Sequence, residues 1–363
     1  MKIADNVVRW FVGVLFIFSG LVKLNDPVGT AIKMEEYFEV FATDIAGIFH
    51  YLVPMALYIG LFVVILEILL GVALLFRWKL KLTIYVLLGL IVFFTFLTFY
   101  SAAFNKVTDC GCFGDAIALT PWQSFGKDIL LLLLTGYMVF RINEIKSAAS
   151  LTGGSAALGT SLVLCIILAY VAIEHLPIID FRPYKVGVDI RKAMQPSEDF
   201  RYRYIMEREG EKYKFDTYPT DNSYKFVEMI LLNPEAEPKI KDYNIWNDEG
   251  DFTEASLTGN KLLVIFSDVN KARIKTIPGI MALTGQLQGT VETWVIMAND
   301  EATYETFRHE YQIALPYYFG DGTVLKTIVR SVPGLLLLKD GVILGKWHNN
   351  DIPSAGEIEA SLQ

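Results

Sequence analysis

Long apolar runs dominate the first half of the chain, and charged residues dominate the second half. A helix of about 20 apolar residues crosses a bilayer, and five runs approach or exceed that length: Val7–Leu24, Tyr51–Phe76, Leu80–Phe104, Ser124–Phe140 and Ala157–Ile173. From Asp180 onward, Lys, Arg, Asp and Glu recur every few residues. The pattern predicts an α-helical membrane bundle, with a four-helix unit and a fifth transmembrane helix, followed by a water-soluble domain.

The soluble half alternates strand-like and helix-like patterns. Phe200–Tyr218 alternates aromatic and polar residues around Glu209–Gly210, which predicts a β-hairpin. Further on, an apolar strand at Leu262–Phe266 precedes a helix-like stretch, Ala272–Gln288, and a second strand, a helix and a strand–turn–strand unit follow. Buried strands separated by helices indicate an α/β domain with a mixed sheet covered on both faces. We therefore divide the chain into a membrane unit (1–146), a linker with the fifth span (147–176), a connecting segment with the hairpin (177–238) and the α/β domain (239–363).

Composition and charge agree with this division. Of 363 residues, 53% are hydrophobic, and the mean hydropathy of +0.38 is too high for an ordinary soluble protein. The net charge of −8 provides no basic surface for nucleic acid. We therefore expect the lipid bilayer, and no nucleic acid, among the partners.

Basic residues also predict the orientation in the membrane. They cluster at alternate ends of the apolar runs: Lys2 and Arg9, Arg77–Lys81, and Arg141 and Lys146. Cytoplasmic loops carry an excess of Lys and Arg, so we predict a bacterial inner-membrane protein with a cytoplasmic N-terminus. The acidic stretch Asp26–Asp44, interpreted as a loop, then faces the periplasm, as do the loop between the third and fourth runs and the C-terminal domain.

Two of the three cysteines, Cys110 and Cys112, stand on either side of one glycine in "DCGCFGD". Burial as small hydrophobic residues is one interpretation, but Asp109, Asp115 and two glycines indicate a polar turn. A closed zinc site requires four ligands, and neither a second cysteine pair nor histidines at ligand spacing accompany the pair. We therefore predict no metal site.

Disulfide chemistry is the remaining interpretation of the pair. A bridge between Cys110 and Cys112 would close a small, strained ring, which is easily reduced. Lys106 is the one cation close to the pair in the sequence, so the sequence does not indicate strong thiolate stabilisation. The third cysteine, Cys165, lies inside the fifth run and is predicted to be an inert core residue.

Charged residues within or beside the spans are further candidates. Glu67 lies inside the second run, where a carboxylate is expected to have a function. It could belong to a proton relay or bind a quinone, or it could form a structural hydrogen bond between helices. Lys23, Asp26, Glu35 and Glu36 are interpreted as a solvated, salt-bridged group around the first outer loop.

Two motifs of the membrane half resemble the DoxX/MauE-like membrane proteins. These are "FIFSGLVKLNDPVG" (Phe16–Gly29) and "DCGCFGD" (Asp109–Asp115). The resemblance implies a four-helix bundle related in plan to quinone-linked disulfide-forming enzymes. It also implies a redox-associated role, in thiol–disulfide chemistry or maturation of periplasmic clients through Cys110 and Cys112. The protein is thus a candidate thiol–disulfide oxidoreductase, with a quinone as candidate cofactor.

The last third of the chain resembles the thioredoxin fold. "SVPGLLLLKDG" is similar to the cis-proline loop and hairpin of that fold, with Pro333 at the cis-proline position. Ile265–Pro278 aligns with the strand, active-site turn and helix, but Asn270 and Arg273 occupy the positions of the redox cysteines. Without thiols this site cannot perform dithiol exchange. The resemblance implies a second function, that of a non-catalytic scaffold or accessory subunit of a cell-envelope complex that docks partners through this domain.

Overall fold

The computed structural model describes residues 3–107, 111, 113–117, 119–145 and 152–363. The chain forms two compact units, Met1–Phe181 and Arg182–Gln363.

The first unit is helical. Helix α1 packs chiefly against α3, α4 packs against α5, and α6 lies against α3 and α1. Two 3-10 segments, Gly47–Met55 and Gly114–Ala116, connect helices. The helices are α1 (Ile3–Asn25), α2 (Pro27–Asp44), α3 (Ala56–Leu75), α4 (Leu80–Phe104), α5 (Pro121–Phe140) and α6 (Thr152–Glu174).

Within the described residues, four helical segments are long and apolar enough to cross a membrane: Ile3–Asn25, Gly47–Leu75, Leu80–Phe104 and Thr152–Glu174. They coincide with four of the five predicted spans, except that the second ends at Leu75, one residue before the predicted end at Phe76. Helix α5 contains the other predicted span but is not among them. Its first two turns carry Gln123, Ser124, Lys127 and Asp128, which lower its mean hydropathy. The structure therefore supports four membrane helices and leaves α5 as a helix packed along α4.

The stretch Asp26–Asp44 was predicted to be a loop, and that prediction is wrong. It forms α2, whose first residue is Pro27. The Asp26 side chain accepts a hydrogen bond from the Gly29 amide (2.8 Å), as an N-cap does. Tyr37 and Phe41 are buried, so α2 belongs to the bundle.

Glycines allow α1 and α3 to approach closely. A Cβ atom on Gly71 would lie 2.7 Å from the carbonyl oxygen of Gly13. A Cβ atom on Gly20 would lie 2.5 Å from Cγ1 of Ile68. Small residues at helix contacts permit this backbone approach in membrane bundles.

Large side chains on the outside of the bundle, such as Phe62 (66% exposed), present an apolar surface to lipid.

The second unit contains two sheets and short helices. The strands are β1 (Tyr202–Arg208), β2 (Glu211–Phe215), β3 (Lys225–Leu231), β4 (Ile245–Asn247), β5 (Gly250–Asp251), β6 (Asn260–Phe266), β7 (Glu292–Met297), β8 (Tyr317–Gly320), β9 (Gly334–Lys339) and β10 (Val342–Trp347). The helices are α7 (Ile190–Ala193), α8 (Thr253–Ser256), α9 (Ile277–Gln286), α10 (Glu301–Glu310), α11 (Gly322–Ile328) and α12 (Ala355–Ser361).

The smaller sheet has the order β2-β1-β3 and is antiparallel. The predicted hairpin is confirmed as β1 and β2. Glu209 and Gly210 both have positive φ (56° and 83°), which is typical of a two-residue hairpin turn. Strand β3 was not predicted, because it follows the hairpin after a nine-residue segment, 216–224, that contains a proline.

The larger sheet has the order β10-β9-β6-β7-β8-β4-β5. Strands β6, β7 and β8 are parallel, and β9 is antiparallel to β6, so the predicted mixed sheet is confirmed. On one face, Leu262 and Val264 share a core with Ile280, Phe307 and Ile358 from α9, α10 and α12. Alternate residues of the same strands are buried on the opposite face: Leu263, Ile265, Ile296, Leu336 and Leu338. Both faces are therefore covered.

Candidate functional site

The predicted site residues Cys110, Cys112 and Asp109 lie outside the described residues. The residues beside them are described. Gly111, between the two cysteines, has a φ of +61°, a backbone conformation that favours glycine. Asp115 is exposed and lies in the 3-10 segment Gly114–Ala116.

Two residues that flank the cysteines in the sequence are buried. Val107 is 5% exposed and Phe113 is 8% exposed. The Phe113 ring lies 5.8 Å from the ring of Phe18 in α1. A Cβ atom on Gly111 would lie 3.5 Å from Cγ of Lys33 in α2. Phe113 therefore lies beside α1, and Gly111 beside α2.

Beside this loop, α5 carries an ion pair. Nζ of Lys127 lies 2.7 Å from Oδ1 of Asp128 and 5.3 Å from the centre of the Phe113 ring. The Asp128 side chain is 2% exposed, and its Oδ2 atom accepts a hydrogen bond from Oγ1 of Thr98 in α4 (3.0 Å). On the same helix, the Ser124 hydroxyl is buried and has no hydrogen-bond partner within the described part of the chain. A cation thus lies beside the Phe113 ring and pairs with a buried carboxylate.

Glu67 forms a second buried ion pair. Nζ of Lys23 donates to Oε2 of Glu67 at 2.6 Å, and the two side chains are 12% and 4% exposed. The same ammonium lies 5.0 Å from the centre of the Phe94 ring, a favourable cation–π position. The interpretation of Lys23 as part of a solvated group is therefore wrong, because its side chain reaches inward to a carboxylate of α3.

A third polar cluster joins α2 to α4. Tyr100 donates a hydrogen bond to Oδ2 of Asp44 (2.7 Å), and Nζ of Lys106 lies 3.2 Å from the same oxygen. The hydrogen bond from Tyr100 and the ammonium of Lys106 hold the pKa of Asp44 below its ordinary value. Tyr37, seven residues before Asp44 in α2, forms a further hydrogen bond to α4, between its hydroxyl and that of Ser101 (2.9 Å).

Polar contacts also close the bundle near the start of α1. The buried carboxylate of Asp5 accepts hydrogen bonds from Tyr137 (2.8 Å) and Nε of Arg141 (3.4 Å). The guanidinium of Arg9 donates to the carbonyl oxygens of Leu74 (2.9 Å) and Leu75 (2.6 Å). These carbonyls stand in the last turn of α3, where carbonyl oxygens lack the usual donor four residues on. Arg9 caps them, and Leu74 also accepts from the Arg77 amide (3.2 Å).

In the second unit, the structure brings Arg273 to the loop of Pro333. The Val332–Pro333 peptide bond is cis, as predicted. The carbonyl oxygen of Val332 accepts hydrogen bonds from the Arg273 amide (2.9 Å) and from Nδ2 of Asn349 (3.0 Å). Nη1 of Arg273 donates to Oδ1 of Asn350 (2.6 Å).

Asn270, the other residue at a predicted cysteine position, is exposed. The Asn270 amide and Nδ2 both donate to Oδ1 of Asp268 (3.0 and 3.2 Å).

In the helical unit, the third cysteine, Cys165, is buried (2% exposed) in a cluster with Leu24 and Val64. Among the described residues, no group of three or more His, Cys, Asp or Glu side chains could hold a metal ion.

Sequence analysis missed the partners of the charged residues in the bundle. Thr98 and Asp128 are 30 residues apart in the chain, and Lys23 and Glu67 are 44 apart. An acidic residue within an apolar helix signals that a partner is needed. Asp128, like Glu67, is an acidic residue within an apolar run, so the sequence indicates that each needs a partner.

Comparison with known proteins concerns the helical unit. No curated protein and no solved structure matches the chain. Residues 1–141, which run from α1 to the end of α5 and include the cysteine loop, match the family model described as methylamine utilisation protein MauE. Over these residues the chain is similar to MauE, which indicates a membrane protein with an accessory role related to redox chemistry or electron transfer.

Proposed function

We propose that this protein assists thiol–disulfide chemistry of periplasmic client proteins through Cys110 and Cys112. In the oxidising step the two thiols form one disulfide and release two protons and two electrons. A membrane quinone accepts them and becomes the quinol. Thiolate–disulfide exchange then passes the disulfide to a client dithiol and returns the pair to thiols.

The burial of the residues that flank the cysteine pair in the sequence is the observation that carries this proposal. Val107 precedes the pair, Phe113 follows it, and both are buried. Lys127 and the buried Asp128 stand beside Phe113. A thiol pair that exchanges protons and electrons works best beside charged groups, and the described residues next to the pair in the sequence support the proposal in this respect.

The proposal includes an orientation and a domain organisation. Helix α5 completes a four-helix inner-membrane unit with α1, α3 and α4, and α6 is a further span that leads to the periplasm. The N-terminus is cytoplasmic, as the distribution of Lys and Arg favours. The segments 1–146, 147–176, 177–238 and 239–363 then form the membrane unit, the linker and further span, the connecting segment and the C-terminal domain.

We assign a thioredoxin-like fold to the C-terminal domain. Support comes from the cis bond before Pro333, directly ahead of β9, and from the antiparallel hairpin of β9 and β10. The central strand β6 lies between β9 and the parallel strand β7 and leads to the turn that holds Asn270 and Arg273. Without cysteines at these two positions the domain is not a second redox centre in this proposal, and its role is to bind partners.

The redox state of the pair in cells tests the proposed function. Cells are quenched rapidly in acid, free thiols are alkylated, and the tryptic peptide with Cys110 and Cys112 is analysed by mass spectrometry. We expect a mixture of dithiol and disulfide that shifts toward the dithiol when quinone synthesis is blocked. A pair that stays fully reduced under all conditions, or a double serine variant with full function, would refute the proposal.

A second candidate function is that of a non-catalytic subunit of an envelope complex. The specific observation is that Asn270 and Arg273 occupy the positions of the redox cysteines, so this domain lacks the thiols that exchange requires. Affinity purification from native membranes separates the two functions. Partners that remain bound in stoichiometric amounts to the Cys110→Ser/Cys112→Ser variant favour the subunit, whereas mixed disulfides that vanish in this variant favour the redox function.

A further inference from the structure

The three-stranded sheet β2-β1-β3 has one face without charged residues, which we call the aromatic face. In an antiparallel sheet, directly opposite residues have their side chains on the same face, and so do residues two apart along a strand. Tyr204 of β1 stands between Phe215 of β2 and Met229 of β3. The register extends this face to eight residues: Tyr202, Tyr204, Met206, Tyr213, Phe215, Phe226, Met229 and Leu231.

The opposite face of the same sheet is charged. Glu207 of β1 stands between Lys212 of β2 and Lys225 of β3. The register again gives eight residues, six of them charged: Arg203, Ile205, Glu207, Lys212, Lys214, Lys225, Glu228 and Ile230. A β-bulge between Ile205 and Met206 keeps Phe226 on the aromatic face. The charged face suits water, so the aromatic face is the one that requires an apolar contact.

The edge strands leave part of the aromatic face open to solvent. Phe226 is 53% exposed, Met229 is 48% exposed and Tyr213 is 40% exposed, although an antiparallel sheet commonly packs its apolar face on a core. Tyr218 extends the surface, since its ring lies 5.4 Å from that of Tyr204 and it is 54% exposed. A contiguous exposed apolar surface marks a site of contact with protein or membrane.

The bilayer is an apolar phase that this sheet cannot leave. Helix α6 (Thr152–Glu174) is long and apolar enough to cross a membrane, and β1 begins at Tyr202 in the same chain. Residues 175–201 therefore tether the sheet to the bilayer, which keeps the lipid surface at a high effective concentration.

The composition of the aromatic face matches a lipid surface. Tyrosine is enriched at the membrane–water interface, where its ring contacts apolar groups and its hydroxyl remains in water. Three of the eight residues are tyrosines, and Tyr218 beside them is a fourth. The tether and the tyrosines together favour lipid over a protein partner.

We propose that the aromatic face of the β2-β1-β3 sheet lies on the bilayer surface. Its aromatic and methionine side chains contact the lipid headgroups and the upper acyl chains, and the charged face points to water. Because none of the eight residues is charged, the contact requires no anionic lipid and is insensitive to salt. The inference does not involve the cysteine pair, and it adds a surface contact to the membrane-spanning helices.

Adjacent residues of β3 report on the two faces. Full-length protein with Cys110→Ser, Cys112→Ser and Cys165→Ala receives one new cysteine, through Met229→Cys or, as the matched control, Glu228→Cys. Each protein is labelled with an environment-sensitive fluorophore and reconstituted in phosphatidylcholine vesicles that contain spin-labelled phosphatidylcholine as quencher. We expect the lipid to quench the fluorophore at position 229 at least about threefold more than at position 228. Dissolved iodide should show the reverse order.

A pair of aspartate variants tests the face itself. Phe226→Asp places a charge on the aromatic face, and Ile230→Asp places the same charge on the opposite face; both residues are exposed. With the fluorophore at position 229, we expect Phe226→Asp to lower lipid quenching at least about twofold, because a charge opposes insertion into lipid. Ile230→Asp should leave the quenching unchanged. Circular dichroism identifies a variant that fails to fold, and the comparison of positions 228 and 229 depends on neither substitution.

Equal quenching by lipid at positions 228 and 229 would overturn the inference. Loss of the quenching in about 0.5 M salt would also contradict it, because an apolar contact is not screened. Protection of position 229 from iodide without quenching by lipid would show another occupant of the face. Protection that disappears when the protein is diluted in lipid would identify a second copy of this chain, and protection that requires added membrane extract would identify a different protein.

Discussion

Nζ of Lys23 lies 2.6 Å from Oε2 of Glu67, and this ion pair joins α1 to α3 inside the bundle. Both side chains are largely removed from solvent, so each charge depends on the other. Glu67 was chosen from the sequence as a proton carrier, a quinone ligand or a structural link between helices. The pairing with Lys23 gives the structural role a definite partner.

We expect the loss of one partner of this pair to be worse than the loss of both. Glu67→Met leaves the Lys23 ammonium buried without its counter-ion, at a cost of about 3 kcal/mol or more in the free energy of unfolding. The double variant Lys23→Met/Glu67→Met removes both charges and should recover much of this loss. Thermal unfolding in detergent measures the three proteins. A double variant less stable than either single variant would contradict this explanation.

The glycine contact between α1 and α3 gives a second prediction. A Cβ atom on Gly71 would meet the Gly13 oxygen and Cγ1 of Ile17, each at 2.7 Å. We therefore expect Gly71→Ala to destabilise the bundle by about 1–3 kcal/mol, because the helices must separate. Gly89→Ala in α4 is the matched control, since nothing lies within 4 Å of its added Cβ. Similar melting temperatures for the two variants would show that the close contact is unimportant for stability.

The cluster at Asp44 predicts a dependence on pH. The folded-state pKa of Asp44 is lowered, so its contribution to stability is complete above the unfolded value of about 3.9 and is lost as the pH falls through the lower folded value. Tyr100→Phe removes the main cause of the lowered pKa, and acid unfolding should begin at higher pH. Tyr85→Phe, on the exposed side of the same helix, is the control. Identical acid unfolding curves for both variants, followed by circular dichroism, would rule out this role of Tyr100.

Adjacent asparagines near Pro333 should respond oppositely to the same substitution. Asn349 is 4% exposed and donates from Nδ2 to the Val332 carbonyl. Asn349→Asp would bury a charge and place two acceptors together, so we expect a loss of about 3 kcal/mol. Asn350 is exposed and accepts from Arg273, so Asn350→Asp should leave stability unchanged or slightly raised. Equal effects on the melting temperature of the second unit would argue against these hydrogen-bond assignments.

The sequence was sufficient to predict the apolar helices and the main sheet, because lipid and a buried core both require continuous apolar segments. Helix α2 was missed because glutamates interrupt its apolar residues, although Asp26–Pro27 is a typical helix start. The cis bond before Pro333 could be predicted because this segment resembles the cis-proline loop of the thioredoxin fold. The order of the strands around it was not predicted. The ion pairs of the bundle depend on helix packing, which fixes which residues of α1, α3, α4 and α5 face each other. Sequence spacing alone contains no such information.

The contacts between α1 and α3 have a mechanical consequence. Arg9 caps the end of α3, Gly13 touches Gly71 midway, and Lys23 binds Glu67 further along. Sliding one helix past the other by a single turn, about 5.4 Å, would break all three attachments together. The two helices are therefore locked in register and can shift only as one body. Any rearrangement within the helical unit must then be taken up at other helix contacts, such as that between α4 and α5, where the hydroxyl of Thr98 donates to Asp128.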